Sequence, residues 1–460
     1  MALPSAQPAR PAVETLPDRR ASDLCDLSER KGIIIPIAFA GVVQHMNEVN
    51  ETKRTDVLTL PADARNRVHE ALGISPEIPL KVSYLPGPGD VLGTYRHWQT
   101  GVQDPRVPVI SYSAMFYELM YRLGAQVEII SPVVHTTASG ETEPWLRFVH
   151  VARQRGQGRI SYHRNENAYI DAMCRELDRF QPHVVLASSD MLPRGWPRVR
   201  ADRKLILTAH NSFWPMGRKP TGLKARARLA LLERHARALD AAVCTSEECM
   251  RQIREVTGGR ITGLVQCPQL LNHYPTEERQ KARNLLYLGR IEANKGIFML
   301  LDVFSSLKPK FPDLTLTFAG TGSADAELQR RIDQNPLPDI RFPGKLDAEG
   351  VHRQIAQSDL IICPTTTAFN EGLAMVGVEA AAHGLPTLLS TVVPVADILG
   401  KGCVAFEADD VSALHRALEN LLSDNRAYQD LLLNARAVCD RFYNRSQSWG
   451  SQLGQILMSL

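Results

Sequence analysis

Residues 358–390 of the chain read SDLIICPTTTAFNEGLAMVGVEAAAHGLPTLLS, which has the pattern of a strand, a loop, a helix and a second strand. The apolar run Leu360–Cys363 predicts a buried strand, and a helix is predicted from about residue 373 to residue 383, where glycine and proline act as stop signals. A second apolar run, Thr387–Ser390, predicts the next strand. Strands that alternate with helices in this way are typical of a parallel α/β architecture.

The same alternation extends over most of the chain. In the second half, further strands are predicted at Asn284–Leu288 and at 314–319, 340–342 and 404–406. In the first half, strands are predicted at Lys81–Leu85 and at 109–111, 127–131, 183–187, 204–208 and 241–245, and helices at 113–123 and 166–180. The polar segment 275–283 separates the two runs, as an interdomain linker would.

We therefore expect two doubly wound, Rossmann-like α/β domains, at 81–275 and 282–439, which suits a length of 460 residues. The Pro- and Ala-rich residues 1–30 are predicted to be a disordered tail. Residues 31–80 form an extension to which the sequence assigns no structure, and residues 440–460 are predicted to be a C-terminal helix.

Composition excludes several classes of protein. Lys and Arg together number 53 and Asp and Glu 50, so the net charge of +3 argues against a dedicated nucleic-acid binder. The longest apolar stretch, residues 33–43, is too short to cross a bilayer, and the first residues lack the apolar core of a signal peptide. The eight cysteines include no CxxC pair, which favours reduced thiols and a cytoplasmic location.

Two glutamates stand eight residues apart around the start of the predicted helix. Glu371 precedes it and Glu379 lies inside it, and eight residues of helix span about 12 Å. Because the free amides of a helix start favour an anion, a diphosphate could lie between two carboxylates that accept hydrogen bonds from sugar hydroxyls. The alternative is a helix-capping Glu371 and a surface Glu379.

The segment LLYLGRIEANKG places two cations after a strand. Gly289, Arg290 and Lys295 lie in the turn between the strand Asn284–Leu288 and the helix that begins near Gly296. The carboxyl ends of parallel strands are where open α/β sheets bind ligands, and two fixed cations there suit a diphosphate. The alternative is a pair of solvated charges in a loop.

Together, the segments GRIEANKG, AGTGSADAEL, the stretch 340–390 and DDVSALHRALENLL resemble the retaining glycosyltransferases of family 4 in order and spacing, over about residues 284–424. Glu371 and Glu379 match the Glu-x7-Glu motif of that family, and Arg290 and Lys295 match its Arg-x4-Lys pair. The resemblance implies the GT-B fold, in which two Rossmann-like domains face each other across a cleft. It also implies a nucleotide diphosphate-sugar donor, bound mainly by the second domain, 282–439, with the acceptor on the side of domain 81–275.

The resemblance also implies roles for single residues. Arg290 and Lys295 would neutralise the departing diphosphate, Glu371 would hold the donor sugar, and Glu379 would bind the ribose hydroxyls. Amides near Gly372 and Leu373 would bind phosphate at the helix start. The other residues implied in donor binding are Gly289, Gly320, Gly322, Lys345 and Leu346.

In the first domain, LILTAHNSFW places His210 after a strand, where the family has a His that faces the reacting sugar. Asn211 follows, whereas family members often have Asp, which weakens an acid–base role. Gly87 and Gly89 occupy the position of the family's glycine-rich loop and are interpreted as donor-binding, although a lone G-x-G also suits a plain turn.

A basic amphipathic helix is predicted at 221–238. Such helices in some relatives touch anionic membranes or lipid-linked acceptors, so peripheral contact with the inner face of the membrane is one interpretation. The other, which we favour from the sequence, is a solvated basic face over an ordinary packing stripe.

The expected activity is sugar transfer with retention, from the donor to a hydroxyl of a glycan or lipid-linked acceptor, as in bacterial polysaccharide synthesis. We expect no cofactor and no obligatory metal, since no DxD-like site occurs in a suitable place, and no nucleic-acid partner. The alternatives are another GT-B enzyme, such as a phosphorylase or a nucleotide-sugar epimerase, and a non-catalytic nucleotide-sugar binding module.

Overall fold

The computed structural model describes residues 57–102, 104–107, 109–133, 143–154, 156, 158–334, 336–337 and 339–460. The predicted tail 1–30 and the residues 31–56 of the extension lie outside the described residues. Thirteen strands lie within them: β1 Lys81–Leu85, β2 Gln126–Ser131, β3 Leu146–His150, β4 Val184–Ser188, β5 Lys204–Ala209, β6 Ala241–Cys244, β7 Thr262–Val265, β8 Asn284–Leu288, β9 Thr315–Ala319, β10 Ile340–Gly344, β11 Leu360–Cys363, β12 Thr387–Ser390 and β13 Cys403–Phe406.

The strands form two parallel sheets. The first has the order β3-β2-β1-β4-β5-β6-β7 and the second the order β10-β9-β8-β11-β12-β13. Helices connect successive strands: α1 Ala64–Leu72, α2 Val91–Gln99, α3 Tyr112–Arg122, α4 Arg159–Phe180, α5 Trp196–Arg200, α6 Leu223–Ala236, α7 Glu247–Thr257, α8 Ile297–Leu307, α9 Asp325–Gln334, α10 Ala348–Ala356, α11 Met375–Ala382, α12 Ala396–Leu399, α13 Val411–Ser423, α14 Asn425–Ala437 and α15 Trp449–Leu457. Two doubly wound sheets of this kind confirm the expected fold class.

The predicted strands are confirmed to within two residues at their ends, with one exception. The strand predicted at 109–111 is wrong: the backbone N–H of Ile110 donates to Gln269 (2.8 Å), and the Ser111 hydroxyl caps α3 by accepting from Ala114 (3.2 Å). One isolated backbone bond makes no strand, and Ser111 is a strong N-cap residue.

Two strands, β3 and β7, were not predicted from the sequence. Both lie at the edges of the first sheet, where β3 reads LRFVH and β7 reads TGLV, and most of their residues are partly exposed. Edge strands of a parallel sheet are less fully covered than central ones, so their sequences lack the continuous apolar run that marks a buried strand.

The C-terminal segment belongs structurally to the first sheet. The prediction of one helix over 440–460 is corrected to two short 3-10 turns, Cys439–Tyr443 and Arg445–Gln447, followed by α15. The side chains of Trp449, Leu453 and Ile456 in α15 are buried in the same core as those of α3 and β1.

The end of the extension also joins this core. Val57, Leu58 and Val68 are buried in it, and the Thr59 backbone donates to the Ser451 hydroxyl at 2.7 Å. Residues 57–80 are therefore part of the layer that covers the first sheet.

The polar segment between the sheets is anchored to the second sheet's layer. Arg279 is buried, and its guanidinium donates to the carbonyls of Ser358 (2.7 Å) and Ala356 (3.0 Å) at the end of α10. Such bonds satisfy the guanidinium without a carboxylate, while burial lowers the Arg279 pKa below its usual value. Within the described residues, none of the helices combines the length and the apolar character that crossing a bilayer requires.

Candidate active site

A cavity of about 420 Å³ opens at the carboxyl edge of the second sheet. The turns after β8, β9 and β10, the loop after β11 and the first turns of α11 form its walls. Eight of the residues predicted to bind the donor line this cavity together: Gly289, Arg290, Lys295, Gly320, Lys345, Leu346, Glu371 and Glu379.

An ion pair lies at one end of this cavity. Lys295 ends the 3-10 turn Ala293–Lys295, and its Nζ is 2.5 Å from Oε2 of Glu371; both side chains are largely buried. The Thr365 hydroxyl donates to the same carboxylate oxygen at 3.3 Å. Because each charge is poorly hydrated here, each depends on the other for compensation.

Phe369 brings the two predicted cations together. Its ring centroid is 3.7 Å from Nζ of Lys295 and 5.1 Å from the guanidinium carbon of Arg290, which also pairs with Glu292 at 2.8 Å. An aromatic face attracts cations, so the ring holds both near the cavity wall. Sequence reasoning missed Phe369, although it is the sole aromatic residue of the loop between β11 and α11.

Glu379 points a carboxyl group at the cavity from the second turn of α11. Among the described residues, no group hydrogen-bonds its side chain, and burial raises its pKa to about 7. A carboxyl group in this condition is partly protonated at neutral pH, and a ligand that donates hydrogen bonds would favour its ionised form.

The glycines predicted after β9 differ in role. A Cβ at Gly320 would lie 1.8 Å from the carbonyl oxygen of Gly289, so this glycine lets two turns of the cavity wall pack directly. Gly322 packs behind the wall, where a Cβ would lie 2.3 Å from the carbonyl oxygen of Ile291, and it does not line the cavity.

The helix start lies two residues later than predicted, at Met375. Gly372 and Leu373, predicted as donor-binding, precede the helix and line a second cavity. Ala374, which follows them, has a φ of 71°, a left-handed conformation that is costly for a residue with a side chain. Ala374 and Met375 line both cavities.

The second cavity, of about 750 Å³, lies between the carboxyl edges of the two sheets. The loops after β1, β4 and β5 form its first side, and the loop before α11 forms the other. Its lining includes Gly87, Gly89, His210, Gly372 and Leu373. The structure thus places Gly87 and Gly89 in this cavity and not with the donor-binding residues of the second sheet.

His210 follows β5 and is half-buried in the wall of this second cavity. Its Nε2 is 3.1 Å from the Thr208 hydroxyl, its ring stacks on Tyr112 with 4.8 Å between centroids, and its backbone N–H donates to the Ser189 hydroxyl at 3.0 Å. Burial lowers the pKa of His210 to about 4, so the imidazole is neutral at physiological pH.

The loop before α11 touches the first sheet's loops directly. A Cβ at Gly372 would lie 1.7 Å from the carbonyl oxygen of His210. The Ser212 hydroxyl donates to the Glu371 carbonyl (3.2 Å), and the Asn370 amide donates to the Phe213 carbonyl (3.2 Å). This interdomain contact holds Glu371, which lines both cavities, at their junction.

The sequence matches two family models. Residues 272–438 match the model described as glycosyl transferases group 1, and residues 109–268 match the glycosyl transferase 4-like domain. Glycogen synthase of Mycobacterium tuberculosis is 30% identical over 148 residues, which cover 32% of this chain and 35% of that protein. Phosphatidyl-myo-inositol mannosyltransferase of the same species is 32% identical over 122 residues, which cover 26% of this chain and 30% of that protein.

Solved structures share the fold at low sequence identity. Sucrose-phosphate synthase of Thermosynechococcus elongatus has a TM-score of 0.60 and 16% identity, over 82% of this chain and 98% of that one. HepE of Anabaena, solved in complex with UDP, has a TM-score of 0.58 and 15% identity, over 83% of this chain and 100% of that one. WaaG, described as a glycosyltransferase involved in lipopolysaccharide biosynthesis, has a TM-score of 0.56 and 14% identity, over 82% and 99%.

The matched region spans about a third of the length of the curated relatives. The two family models, by contrast, follow each other along the chain and together cover the strands β2 to β13. The chain therefore belongs to the group 1 glycosyltransferases, and its two facing α/β sheets are those of the GT-B fold.

Proposed function

We propose that the protein transfers a sugar from a nucleotide diphosphate-sugar to an acceptor hydroxyl with retention at the anomeric carbon. The observation that carries the proposal is the position of Glu371, which is paired with Lys295 where the smaller cavity meets the larger. A donor sugar at that junction would have its diphosphate in the smaller cavity and the acceptor in the larger. HepE, a protein of the same fold, is described in complex with UDP and with UDP-glucose.

In this proposal the bond from the anomeric carbon to the diphosphate breaks, and negative charge grows on the departing oxygen. Lys295, Arg290 and the amides at the start of α11 stabilise that charge, as fixed dipoles and cations do in a site prepared before the reaction. Because these groups supply the electrostatic stabilisation, the proposal includes no metal ion and no organic cofactor.

Retention follows when the acceptor hydroxyl attacks the anomeric carbon from the same face that the diphosphate leaves. A covalent glycosyl intermediate would need a second carboxylate about 5 Å from the first to act as acid and base. The proposal includes none, since it assigns Glu371 to the donor sugar and Glu379, in the second turn of α11, to the ribose. His210, whose pKa is lowered to about 4, is a weak base. The departing phosphate oxygen is therefore the better acceptor for the proton of the attacking hydroxyl.

A donor screen tests the proposal. A panel of UDP-, GDP- and ADP-sugars is added to the full chain, and we expect one of them to raise the melting temperature and to be consumed. NMR of the product is expected to show the anomeric configuration of that donor, and EDTA is expected to leave the rate unchanged. Inversion at the anomeric carbon would contradict retention, and the absence of any donor turnover would favour a binding module.

The exposed basic helix α6 bears on where the acceptor is found. Of its fourteen residues only Ala236 is buried, whereas Leu223 and Leu231 are 84% and 52% exposed. The helix nevertheless packs on the first sheet's core through Ala236 and the partly buried Leu229 and Leu232, so an ordinary packing stripe is present, while the face that carries Leu223 and Leu231 stays open. We propose that Leu223 and Leu231 insert at an anionic membrane surface, with Arg226 and the other cations of α6 around them.

A further exposed apolar residue, Ile160, lies near α6. The turn Pro193–Gly195 contacts α6, and its Arg194 donates to His163 in the first turn of α4 at 2.9 Å. Ile160, 86% exposed, lies in the same turn of α4. Together with α6, this turn extends the proposed membrane-contacting face, which would locate the protein at the inner face of the membrane with its acceptor.

Vesicle sedimentation checks the membrane contact. We expect the full chain to sediment with phosphatidylglycerol vesicles but not with phosphatidylcholine vesicles, and the variant Arg226→Glu/Arg228→Glu to lose about tenfold in affinity or more, since each basic residue near the surface contributes on the order of 1 kcal/mol. The control Lys401→Glu/Arg416→Glu makes the same charge change at exposed positions of the second sheet's layer. If both double variants lost the same vesicle affinity, the loss would reflect a non-specific effect of charge and would contradict a contact made by α6.

A further inference from the structure

The larger cavity has a second set of polar side chains, besides His210 and Glu371. Ser188 ends β4, and Ser189 and Asp190 follow it in the loop; all three line the cavity. On the same side, in the loop after β1, Gly87 comes close to these residues, since a Cβ there would lie 3.5 Å from the Ser188 hydroxyl oxygen. The sequence offered no role for these serines.

Each of these serine hydroxyls accepts a backbone hydrogen bond. Ser188 accepts from the N–H of Asp190 at 3.2 Å, and Ser189 accepts from the N–H of His210 at 3.0 Å. No described residue accepts the hydroxyl proton of either serine. Because the backbone fixes the oxygen and occupies a lone pair, each hydroxyl presents its O–H as a donor to whatever fills the cavity.

Asp190 supplies the complementary acceptor. Its carboxylate is about half exposed and pairs with Arg153, which also binds Glu166 at 2.7 Å. The pair with Arg153 offsets the charge of Asp190 and leaves carboxylate lone pairs on the exposed side. The loop after β4 thus offers two donors and one acceptor within three consecutive residues.

The charges of this cavity disfavour an anionic ligand. Among the described residues that line it, the carboxylates are Asp90, Asp104, Asp190 and Glu371, and the sole guanidinium is that of Arg106. Arg106 is already engaged by Asp104, at 2.6 Å, and by Asp90. His210 adds no charge at physiological pH, because its pKa is about 4. Since Arg153 and Lys295 are likewise engaged by Asp190 and Glu371, none of these cations is left to bind a phosphate or a carboxylate in the cavity.

We propose that the larger cavity binds the acceptor as an uncharged ring with neighbouring hydroxyls, to which Ser188 and Ser189 donate and from which Asp190 accepts. Neighbouring sugar hydroxyls both donate and accept, so they match alternating donors and acceptors, whereas an anion only accepts. Tyr84 and Tyr112 also line the cavity. This inference rests on the proposed function, since it assigns the second substrate of that reaction.

The test compares acceptors that share a sugar ring and differ at C6, where a neutral hydroxymethyl group is replaced by a charged one. The donor found in the screen is offered with para-nitrophenyl hexosides, with the matching glucuronides and with the matching hexoside 6-phosphates. We expect transfer to a neutral hexoside, with kcat/KM at least tenfold above that of its charged counterparts. A preference for a charged acceptor, or no transfer to any neutral one, overturns the inference.

Variants then assign the binding groups. Ser188→Ala and Ser189→Ala are each expected to raise KM for the neutral acceptor by on the order of tenfold, the effect of one net hydrogen bond. The thermal shift with donor is expected to stay within a factor of two, since neither serine lines the smaller cavity. Ser246→Ala is the matched control, since Ser246 also accepts a backbone N–H, from Cys249 at 3.2 Å, and lines neither cavity.

The outcomes separate this inference from the proposed function. If the serine variants leave the acceptor KM unchanged while transfer proceeds, the acceptor assignment fails and the reaction stands. If the unaltered chain neither hydrolyses nor transfers any donor, the proposed function fails first. A fall in melting temperature equal in the Ser188, Ser189 and Ser246 variants, with KM changed in none, would show a structural role only.

Discussion

Replacing Lys295 with alanine is expected to reduce sugar transfer by about 10³-fold, the loss seen when one fixed stabiliser of transition-state charge is removed. Lys295 lies 2.5 Å from Glu371 and 3.7 Å from the centroid of Phe369, so it is held before any ligand arrives. Removing it deletes the cation that faces the departing diphosphate and leaves Glu371 without its partner. Glu371→Ala is expected to abolish transfer in the same way.

The two losses are expected to be non-additive. Because Lys295 and Glu371 act as one unit, Lys295→Ala/Glu371→Ala is expected to be little worse than either single variant, which rate measurements under saturating donor would show. Lys308→Ala is the matched control, since Lys308 is an equally buried lysine paired with Asp339 in the same domain, away from the cavities. Turnover near that of the unaltered chain in Lys295→Ala would contradict the site assignment.

Gly372→Ala is expected to reduce transfer by at least 10²-fold, because a misplacement of about 1 Å at a reacting centre has an effect of that size. The new Cβ would lie 1.7 Å from the His210 carbonyl oxygen and 3.1 Å from Cα of Asn211, and neither backbone atom can rotate aside. The loop that bears Glu371 would have to withdraw from the first sheet's loops.

Donor binding is expected to survive this change, since the smaller cavity is built from the second sheet's turns. The measurement is therefore the ratio of transfer to donor-induced thermal shift in Gly372→Ala. Gly263→Ala is the control: its Cβ would meet the terminal methyl of Met250 at 2.6 Å, which a flexible side chain can relieve. Unchanged transfer in Gly372→Ala would show that the interdomain contact does not position Glu371.

The central strands and the residues of the smaller cavity were predictable because the sequence patterns that indicate them lie within short segments. Leu360–Cys363 is a continuous apolar run, and Glu371 and Glu379 stand at a fixed separation around one helix. Both depend on residues close in the sequence. The edge strands β3 and β7 were missed because partial exposure removes the apolar run that would mark them.

Contacts between distant segments were not predictable. No local pattern joins Lys295 to Glu371, Ser189 to the backbone of His210, or Gly372 to that histidine's carbonyl. Glycine at position 372 looked like a phosphate-binding glycine, because its neighbours form a motif. Its small size also allows a close approach between the loops of the two sheets, which depends on how the whole chain packs.

The placement of α15 has a consequence for the order in which the protein is built. Trp449, Leu453 and Ile456 fill the core over the first sheet, yet they follow the whole second sheet in the sequence. The second sheet, from Asn284 to Phe406, is complete in the nascent chain before them. The first sheet is thus translated before the second but receives this part of its core only after the second, so the apolar surface that α15 covers stays open while the second sheet is being synthesised.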